Sequence, residues 1–468
     1  MQIVVSNVLT VSDTTQEFRD WCRKYLRIPN PEYAQRLRMG FYIGNTPREL
    51  SMYEIKGNDY ILPFGVLKNL PEEIQNTAQF VSQFAPVGKV DYEGDVPLYD
   101  YQAKAVKAMI DAKYGILESP AGSGKTQMGI AMVFALKRPT LWLCHTLDLV
   151  KQSEERMRLY LKNPDVIGTI REGKVNIGSG ITFATVQTMS KLDLAQYKDY
   201  WDCIIVDEVH RVSGSPTAVT QYRKVLNSLS ARHKYGLSAT VHRSDGMIRA
   251  TFSLTGDVAY TVPKSEIAEK IMDVGIQPIA TGVTISPKAL NTDGTLNYSK
   301  LITYITEHEE RNQLIVSQIE EKPSLILSDR LAHLETLMEM LPDDMRKDAV
   351  MVSGKMTTKK GKKEREQAIE DMRTGRKKYL FATYSLAKEG LDIPCLERLY
   401  MTTPQKDFSV ITQSIGRIAR TSEGKDKPVT YDFVDNIIYL QRSYKKRCSI
   451  YRKNGCYFLW ESLHTTAK

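Results

Sequence analysis

The sequence predicts an α/β protein with two tandem parallel-sheet domains and a small α+β accessory domain at the N-terminus. From about residue 96, short apolar runs alternate with helical stretches, and this alternation occurs twice, which is typical of parallel sheets covered by helices. Polar motifs follow many of these runs, and parallel sheets bind ligands at the carboxyl ends of their strands. The predicted strands cover residues 140–144, 181–184, 203–206 and 235–237, then 324–327, 350–353, 379–382, 399–402 and 429–433.

The 468 residues are enough for about three domains of ordinary size. The accessory domain should show short strands near Val4, at 60–62 and at 66–67, and a helix over 15–26. The run Asn-Thr-Asp-Gly at 291–294 predicts a turn. The predicted division is an accessory domain over 1–90, a first α/β domain over 91–260, a connector over 261–305, and a second α/β domain over 306–468 that ends in a basic tail.

Composition is that of a folded protein, and the net charge suits a polyanionic partner without establishing one. The formal net charge is +9 and 42% of the residues are hydrophobic, which gives modest support to a nucleic-acid partner. The six cysteines are scattered and include no Cys-x-x-Cys pair, so neither a zinc site nor an iron–sulfur cluster is expected. The sequence shows neither a secretory leader nor a run of about 20 apolar residues. We therefore expect a cytoplasmic protein that does not enter a membrane.

A phosphate-binding loop is predicted between the apolar run at 115–117 and a helical run at 128–136, where residues 119–126 read Ser-Pro-Ala-Gly-Ser-Gly-Lys-Thr. The glycines allow backbone amides to surround phosphate oxygens. Lys125 is expected to reach the β- and γ-phosphates, and Thr126 to bind Mg²⁺. Serine replaces the usual glycine at 119, but the turn depends on the later glycines. The nucleotide-binding candidates are Ser119, Pro120, Ala121, Gly122, Ser123, Gly124, Lys125 and Thr126.

Two adjacent acids, Asp207 and Glu208, follow the apolar run at 203–206. Their position predicts that both carboxylates emerge at the edge of the sheet that carries the phosphate loop. Asp207 is the candidate for holding Mg²⁺, and Glu208 for orienting and deprotonating the attacking water. Adjacent acids also occur as ordinary loop residues, and it is the phosphate loop that favours the catalytic interpretation.

An arginine-containing segment in the second domain supplies further catalytic candidates. Arg417 and Arg420 are three residues apart, which predicts that they lie on one side of a helical turn. A guanidinium delivered across an interdomain cleft stabilises charge on the γ-phosphoryl oxygens. Gln413 in the same segment is a further candidate. Hydrolysis would then depend on closure of the cleft.

The order of these segments resembles superfamily 2 helicases and translocases with a DExH box, and the resemblance covers nearly all of residues 96–435. It implies RecA-like domains that bind ATP and Mg²⁺. It further implies that Gln102 reads adenine and that the segment at 389–394 links the ATP site to the nucleic-acid site. Hydrolysis would be coupled to strand movement through the Ser-Ala-Thr segment at 238–240. The residues added by the resemblance are His210, Ser238 and Thr240 for coupling, Thr146, Thr185, Gln187 and Thr383 for DNA, and Gly390 and Asp392 for the nucleotide.

The run at 242–246 and the tail at 431–451, which contains Lys445, Lys446 and Arg447, resemble DNA-directed members of the XPB, RecG and phage UvsW types. This resemblance implies a monomeric ATP-dependent DNA helicase that moves 3′ to 5′ on forked, branched or Holliday-junction DNA. The accessory domain and the basic tail are candidates for junction recognition, or alternatively a packing module and a solvated helix. The lysine run at 359–363 is interpreted as solvated surface rather than as a nucleic-acid contact.

Three other functions remain open. The chain could be an RNA helicase, a duplex translocase that does not separate strands, or a motor-like DNA-binding subunit of a larger restriction or repair assembly. A subunit that had lost ATP hydrolysis would not need the catalytic candidates. The chain retains all of them, namely Lys125, Asp207, Glu208, Arg417 and Arg420, which argues against such a subunit.

Overall fold

A computed structural model describes residues 1–120, 122–171, 173–241, 246–267, 271–354, 356, 358–388, 391 and 393–459, without the side chains at 359, 362 and 388. The chain forms two compact units, one made of Met1–Pro120 with Gly124–Glu266 and the other running from Ile267 onward. The candidates Ala121, Gly390 and Asp392, and most of the run at 242–246, lie outside the described residues.

The N-terminal region has a five-stranded sheet in the order β5-β6-β2-β1-β7 and a small two-stranded sheet of β3 and β4. The predicted helix at 15–26 and the strands near Val4 and at 60–62 are confirmed, but the predicted strand at 66–67 is wrong. Val66 lies instead in a 3₁₀ turn, Phe64–Asn69. The elements are β1 (Gln2–Val5), β2 (Val8–Ser12), α1 (Gln16–Tyr25), β3 (Arg27–Pro29), α2 (Pro31–Arg38), β4 (Glu49–Ser51), β5 (Glu54–Lys56), β6 (Asp59–Pro63), α3 (Glu72–Thr77) and β7 (Gln79–Ser82).

The first α/β domain is an eight-stranded sheet in the order β11-β10-β12-β9-β13-β14-β8-β15, parallel except for the edge strand β11. All four predicted strands are present, and three of them are one to three residues longer than predicted. The elements are α4 (Asp100–Ala112), β8 (Tyr114–Glu118), α5 (Lys125–Leu136), β9 (Thr140–Cys144), α6 (Leu147–Tyr160), β10 (Ile167–Arg171), β11 (Lys174–Asn176), β12 (Ile181–Thr185), α7 (Val186–Met189), β13 (Cys203–Asp207), α8 (Pro216–Ser228), β14 (His233–Ser238), α9 (Ile248–Thr255) and β15 (Val258–Thr261).

The N-terminal sheet and the first α/β domain share a continuous hydrophobic core within the first unit. The Phe64 ring meets Tyr114 edge to face, with 4.9 Å between the ring centroids. A Cβ at Gly65 would lie 2.4 Å from the backbone nitrogen of Gly256, so the 3₁₀ turn packs directly on backbone at the end of α9. This close packing accounts for the turn where the sequence predicts a strand. The domain boundary at residue 90 stays a prediction.

Lys234 lies in this contact and is only 1% exposed. Its ammonium donates to the carbonyl oxygens of Leu226 at 2.8 Å and Asn7 at 3.1 Å, and it lies 5.0 Å from the centre of the Phe64 ring. Burial lowers the pKa of Lys234 to about 7. Below that pH the folded protein must hold a buried charge, whereas the unfolded chain keeps its lysine protonated up to about pH 10.

We therefore expect the free energy of unfolding to rise with pH between about 7 and 10, because the unfolded chain binds the extra proton in this window. Lys234→Met should reduce this rise by on the order of 4 kcal/mol. Denaturant unfolding at several pH values measures the slope, with the exposed Lys107→Met as control. Equal slopes in wild type and Lys234→Met would contradict this assignment.

The second α/β domain is a seven-stranded sheet in the order β18-β19-β17-β20-β21-β16-β22, with parallel pairing throughout. The elements are β16 (Gly275–Ala280), α10 (Tyr298–Thr306), α11 (Glu309–Ser317), β17 (Ser324–Ser328), α12 (Leu331–Glu339), α13 (Asp343–Lys347), β18 (Ala349–Val352), α14 (Lys359–Arg373), β19 (Tyr379–Thr383), α15 (Tyr384–Lys388), β20 (Arg398–Met401), α16 (Phe408–Ile418), β21 (Val429–Val434), α17 (Ile438–Lys453) and β22 (Tyr457–Phe458).

All five strands predicted in this domain are confirmed, but β16 lies inside the range predicted as a connector. It pairs with β21 over its whole length, from Gly275 to Ala280. The turn at 291–294 is confirmed, since Gly294 has a φ of +78° and the Asn291 amide donates to the Thr295 carbonyl at 2.8 Å. Among the described residues, every helix is too short or too polar to cross a membrane.

Candidate active site

The phosphate-binding loop connects β8 to α5. The Ser119 amide donates to the Ser238 carbonyl oxygen at 2.9 Å and so fixes the start of the loop to the end of β14. Gly122 and Gly124 have φ values of +85° and +80°, which favour glycine. Pro120 and Ser123 lie between these points, and Ser123 is buried. Lys125 and Thr126 are the first residues of α5, so they lie at a helix N-terminus that attracts phosphate.

Gln102 lies directly beside this loop. Its side chain is 1% exposed, and its Oε1 accepts from the Tyr99 amide at 3.0 Å near the start of α4. A Cβ at Gly124 would lie 2.5 Å from Nε2 of Gln102, so only glycine leaves room for the amide here. This hydrogen bond fixes the orientation of the amide against the loop.

The two acids lie at the end of β13. Asp207 is buried, and its carboxylate accepts from the Glu208 amide at 3.0 Å and from the Ser153 hydroxyl at 3.4 Å. Burial and the neighbouring Glu208 charge raise the pKa of Asp207 to about 7, and the Lys125 charge opposes them. A cation held against this carboxylate would favour its ionised form. The residues present therefore fit a divalent metal beside the phosphate loop.

Glu208 begins a chain of polar contacts that reaches the end of β14. Its backbone is left-handed, with a φ of 49°, and its Oε2 lies 3.2 Å from Nδ1 of His210. The same nitrogen lies 3.1 Å from the Ser238 hydroxyl. Ser238 Oγ in turn accepts from the Thr240 amide at 3.1 Å. The structure thus brings together the acid pair and all three residues expected to couple hydrolysis to movement.

The candidate nucleic-acid contacts of the first domain follow the adjacent strands β9 and β12. Thr146 and Thr185 cap helices, accepting from the Leu149 amide at 3.4 Å and the Thr188 amide at 3.2 Å respectively. Nε2 of Gln187 lies 3.3 Å from Nδ1 of His145. His145 directly precedes Thr146 and was not expected from the sequence to take part in the site. Burial, with the nearby Arg211 and His210 charges, lowers its pKa, which favours a neutral ring.

In the second domain Thr383 ends β19, and its hydroxyl lies 2.9 Å from that of Ser385. Gln413 is buried on α16, where its Nε2 donates to Ser409 Oγ at 3.2 Å. Arg417 donates to the carbonyl oxygens of Ala387 at 3.0 Å and Leu391 at 3.2 Å. In this arrangement Arg417 holds the chain after β19 in place.

Arg420 is not on a helical turn with Arg417, and that expectation was wrong. The helix α16 ends at Ile418, and Arg420 forms an isolated antiparallel bridge with Ile271. The adjacent Met272 amide donates to the Ala419 carbonyl at 2.7 Å. Pairing with a distant segment therefore ends the helix earlier than local spacing predicts.

Two protein families match the chain. The family described as "Type III restriction enzyme, res subunit" matches residues 95–243, and the helicase conserved C-terminal domain matches residues 298–422. The first match contains the phosphate loop and the acid pair, and the second contains Gln413, Arg417 and Arg420. This chain is a superfamily 2 helicase. Its ATP-dependent helicase activity follows from these two domains.

Curated relatives and solved structures agree with this assignment. The chain is 28% identical to a putative ATP-dependent RNA helicase of Acanthamoeba polyphaga mimivirus. The aligned residues cover 81% of this chain and 72% of that protein. The chain is also 24% identical to the DNA 3′-5′ translocase XPB2 of Sulfurisphaera tokodaii, with 70% of this chain and 80% of that protein aligned. The expected likeness to XPB is thus confirmed. Dbp5 of S. cerevisiae, solved with RNA and ADP BeF3, shares the fold with a TM-score of 0.52 and 18% identity, over 78% of this chain and 92% of that one.

Proposed function

We propose that this helicase is a DNA helicase or translocase that acts on forked or branched DNA and moves 3′ to 5′. The observation that carries the enzymatic part is the convergence of Lys125, Asp207 and Glu208 at one sheet edge, with Glu208 connected to Ser238 through His210. The DNA substrate and the direction rest on the likeness to the DNA 3′-5′ translocase XPB2.

In this proposal the phosphate loop and Gln102 bind ATP, and Thr126 and Asp207 hold Mg²⁺. When bound, the ion neutralises charge on the phosphate oxygens. Lys125 places a further positive charge on the β- and γ-phosphates. Glu208 orients the attacking water and accepts its proton. A change at Glu208 would pass to Ser238 and Thr240 through the His210 ring, which lies 3.2 Å from one side chain and 3.1 Å from the other.

Contacts to the nucleic-acid backbone are assigned to Thr146, Thr185 and Gln187 in the first domain and to Thr383 in the second. Hydroxyl and amide groups at strand ends suit phosphate and sugar oxygens, which carry little sequence information. The enzyme should therefore prefer a structure over a sequence. We propose that it works as a monomer.

The N-terminal region offers a surface for recognising a fork. We define the N-terminal patch as Leu37, Arg38, Met39, Phe41 and Tyr42, all of which are exposed, with Tyr42 at 88% and Phe41 at 57%. Aromatic rings beside a guanidinium are the usual platform for unpaired bases. We assign this patch to single-stranded DNA next to the junction.

The test is steady-state ATP hydrolysis with forked DNA, blunt duplex, single-stranded DNA and RNA, measured beside strand displacement on labelled forked and blunt duplexes. We expect the largest stimulation with forked DNA, together with unwinding. The putative RNA helicase of mimivirus supports RNA as the second candidate substrate. Stimulation by RNA alone would overturn the DNA assignment. Stimulation by duplex without any displacement would instead indicate a duplex translocase.

A further inference from the structure

The C-terminal helix α17 presents a continuous basic face. Its sixteen residues include no acid, and its outward side chains include Arg442, Lys445, Lys446, Arg452 and Lys453, all exposed. We call these five residues the α17 basic face. From Arg442 to Lys453 the helix rises roughly 16 Å at 1.5 Å per residue. That length matches about five successive phosphates along the axis of one strand of duplex DNA.

The opposite side of α17 is fixed to the sheet. Arg447 is 1% exposed and forms a two-point ion pair with Asp432 of β21, with N–O distances of 2.8 and 2.9 Å. The Tyr451 hydroxyl donates to the same carboxylate at 2.7 Å. Arg447 is therefore occupied inside the protein and does not belong to the nucleic-acid surface expected of the basic tail. The buried pair sets the rotation of the helix and directs the five cations outward.

The same helix is tied to the segment that carries the catalytic candidates of the second domain. Arg447 also donates to the Gln405 carbonyl oxygen at 3.2 Å, just before α16. The Asn454 amide donates to the Thr412 hydroxyl at 3.0 Å, next to Gln413. These two hydrogen bonds therefore couple the position of α17 to that of the segment around α16.

We infer that the α17 basic face binds the phosphate backbone of a DNA duplex arm. This inference rests on the proposed function and adds the surface for the double-stranded part of the substrate. A duplex is favoured over a single strand because the exposed side chains of α17 include no aromatic ring, whereas single-strand platforms stack bases on aromatics. The helix α17 starts four residues after Val434, so the face lies close to the carboxyl end of β21. Ligands of parallel sheets bind at the carboxyl ends of the strands.

The experiment compares Lys445→Ala/Lys446→Ala with a matched control, Lys347→Ala/Lys427→Ala. The control removes the same charge from exposed lysines that precede β18 and β21, at the other end of the strands. Binding of labelled blunt duplex and of single-stranded DNA is measured by fluorescence anisotropy over a range of salt concentrations. Thermal unfolding and ATP hydrolysis without nucleic acid are measured on each protein, and both should be unchanged.

We expect the α17 variant to bind duplex roughly tenfold more weakly at moderate salt, and the slope of log affinity against log salt to fall by about 2. Single-strand binding should change less than twofold, and the control should bind duplex as wild type does. Equal losses for duplex and single strand, or an unchanged salt slope, would overturn the inference while leaving the proposed function intact. If the wild type bound no DNA at all, the proposed function would fail, and this inference with it.

Discussion

Replacing Glu208 by glutamine should lower kcat for ATP hydrolysis by roughly 10²- to 10⁴-fold, the usual contribution of a positioned general base. The amide keeps the shape of the side chain and can still face His210, whose Nδ1 lies 3.2 Å from Oε2 in the native protein. It cannot accept the proton of the attacking water. Steady-state kinetics with saturating forked DNA measures kcat, and a fluorescent ATP analogue measures nucleotide affinity, which should be kept.

The matched control is Glu155→Gln, a change on the exposed side of α6, which should behave as wild type. A kcat within twofold of wild type for Glu208→Gln would remove Glu208 from the role of base. Loss of nucleotide binding together with turnover would instead point to a structural role, since Glu208 has a left-handed backbone with a φ of 49°.

Replacing Arg420 by alanine should lower kcat by roughly 10³- to 10⁵-fold, the range found for arginine fingers in phosphoryl transfer. Arg420→Lys should restore little of it, because an ammonium does not reproduce the planar fork of a guanidinium. The structure separates this residue from Arg417, which donates to the carbonyl oxygens of Ala387 and Leu391. Arg417→Ala should therefore also lower the melting temperature, because it removes two hydrogen bonds to the backbone.

The comparison needs ATP turnover and thermal unfolding for each variant, with Arg376→Ala as the control. Arg376 is an exposed residue that pairs with Asp371 at 2.7 Å. The assignment would move to Arg417 if Arg420→Ala turned over normally while a folded Arg417→Ala protein did not.

The central strands and the phosphate loop could be predicted because their causes are local. The strands β9, β12 and β13 are short apolar runs that are buried along their whole length, so the sequence shows both their extent and their burial. The loop depends on glycines at the two positions that adopt positive φ, Gly122 and Gly124. The acid pair could be predicted because it comes at the end of the apolar run that forms β13.

Other elements depend on partners far away in the chain. The run at 66–67 is apolar enough for a strand, but Gly65 packs against the backbone at Gly256 and a 3₁₀ turn results. The strand β16 lies alone in a mixed stretch, and it is stabilised by pairing with β21, more than 150 residues later. Arg420 leaves the helical turn because of its bridge to Ile271.

The neighbouring residues Lys446 and Arg447 are both basic, yet they occupy opposite environments in the fold. Two α/β domains, a phosphate loop, an acid pair and a basic C-terminal tail follow from the sequence alone, since each depends on residue types at short spacing. The packing of α17 on β21 turns Lys446 outward and buries Arg447 against Asp432, fifteen residues earlier. A guanidinium can be buried only where a carboxylate meets it, and that partner is set by how strand and helix pack.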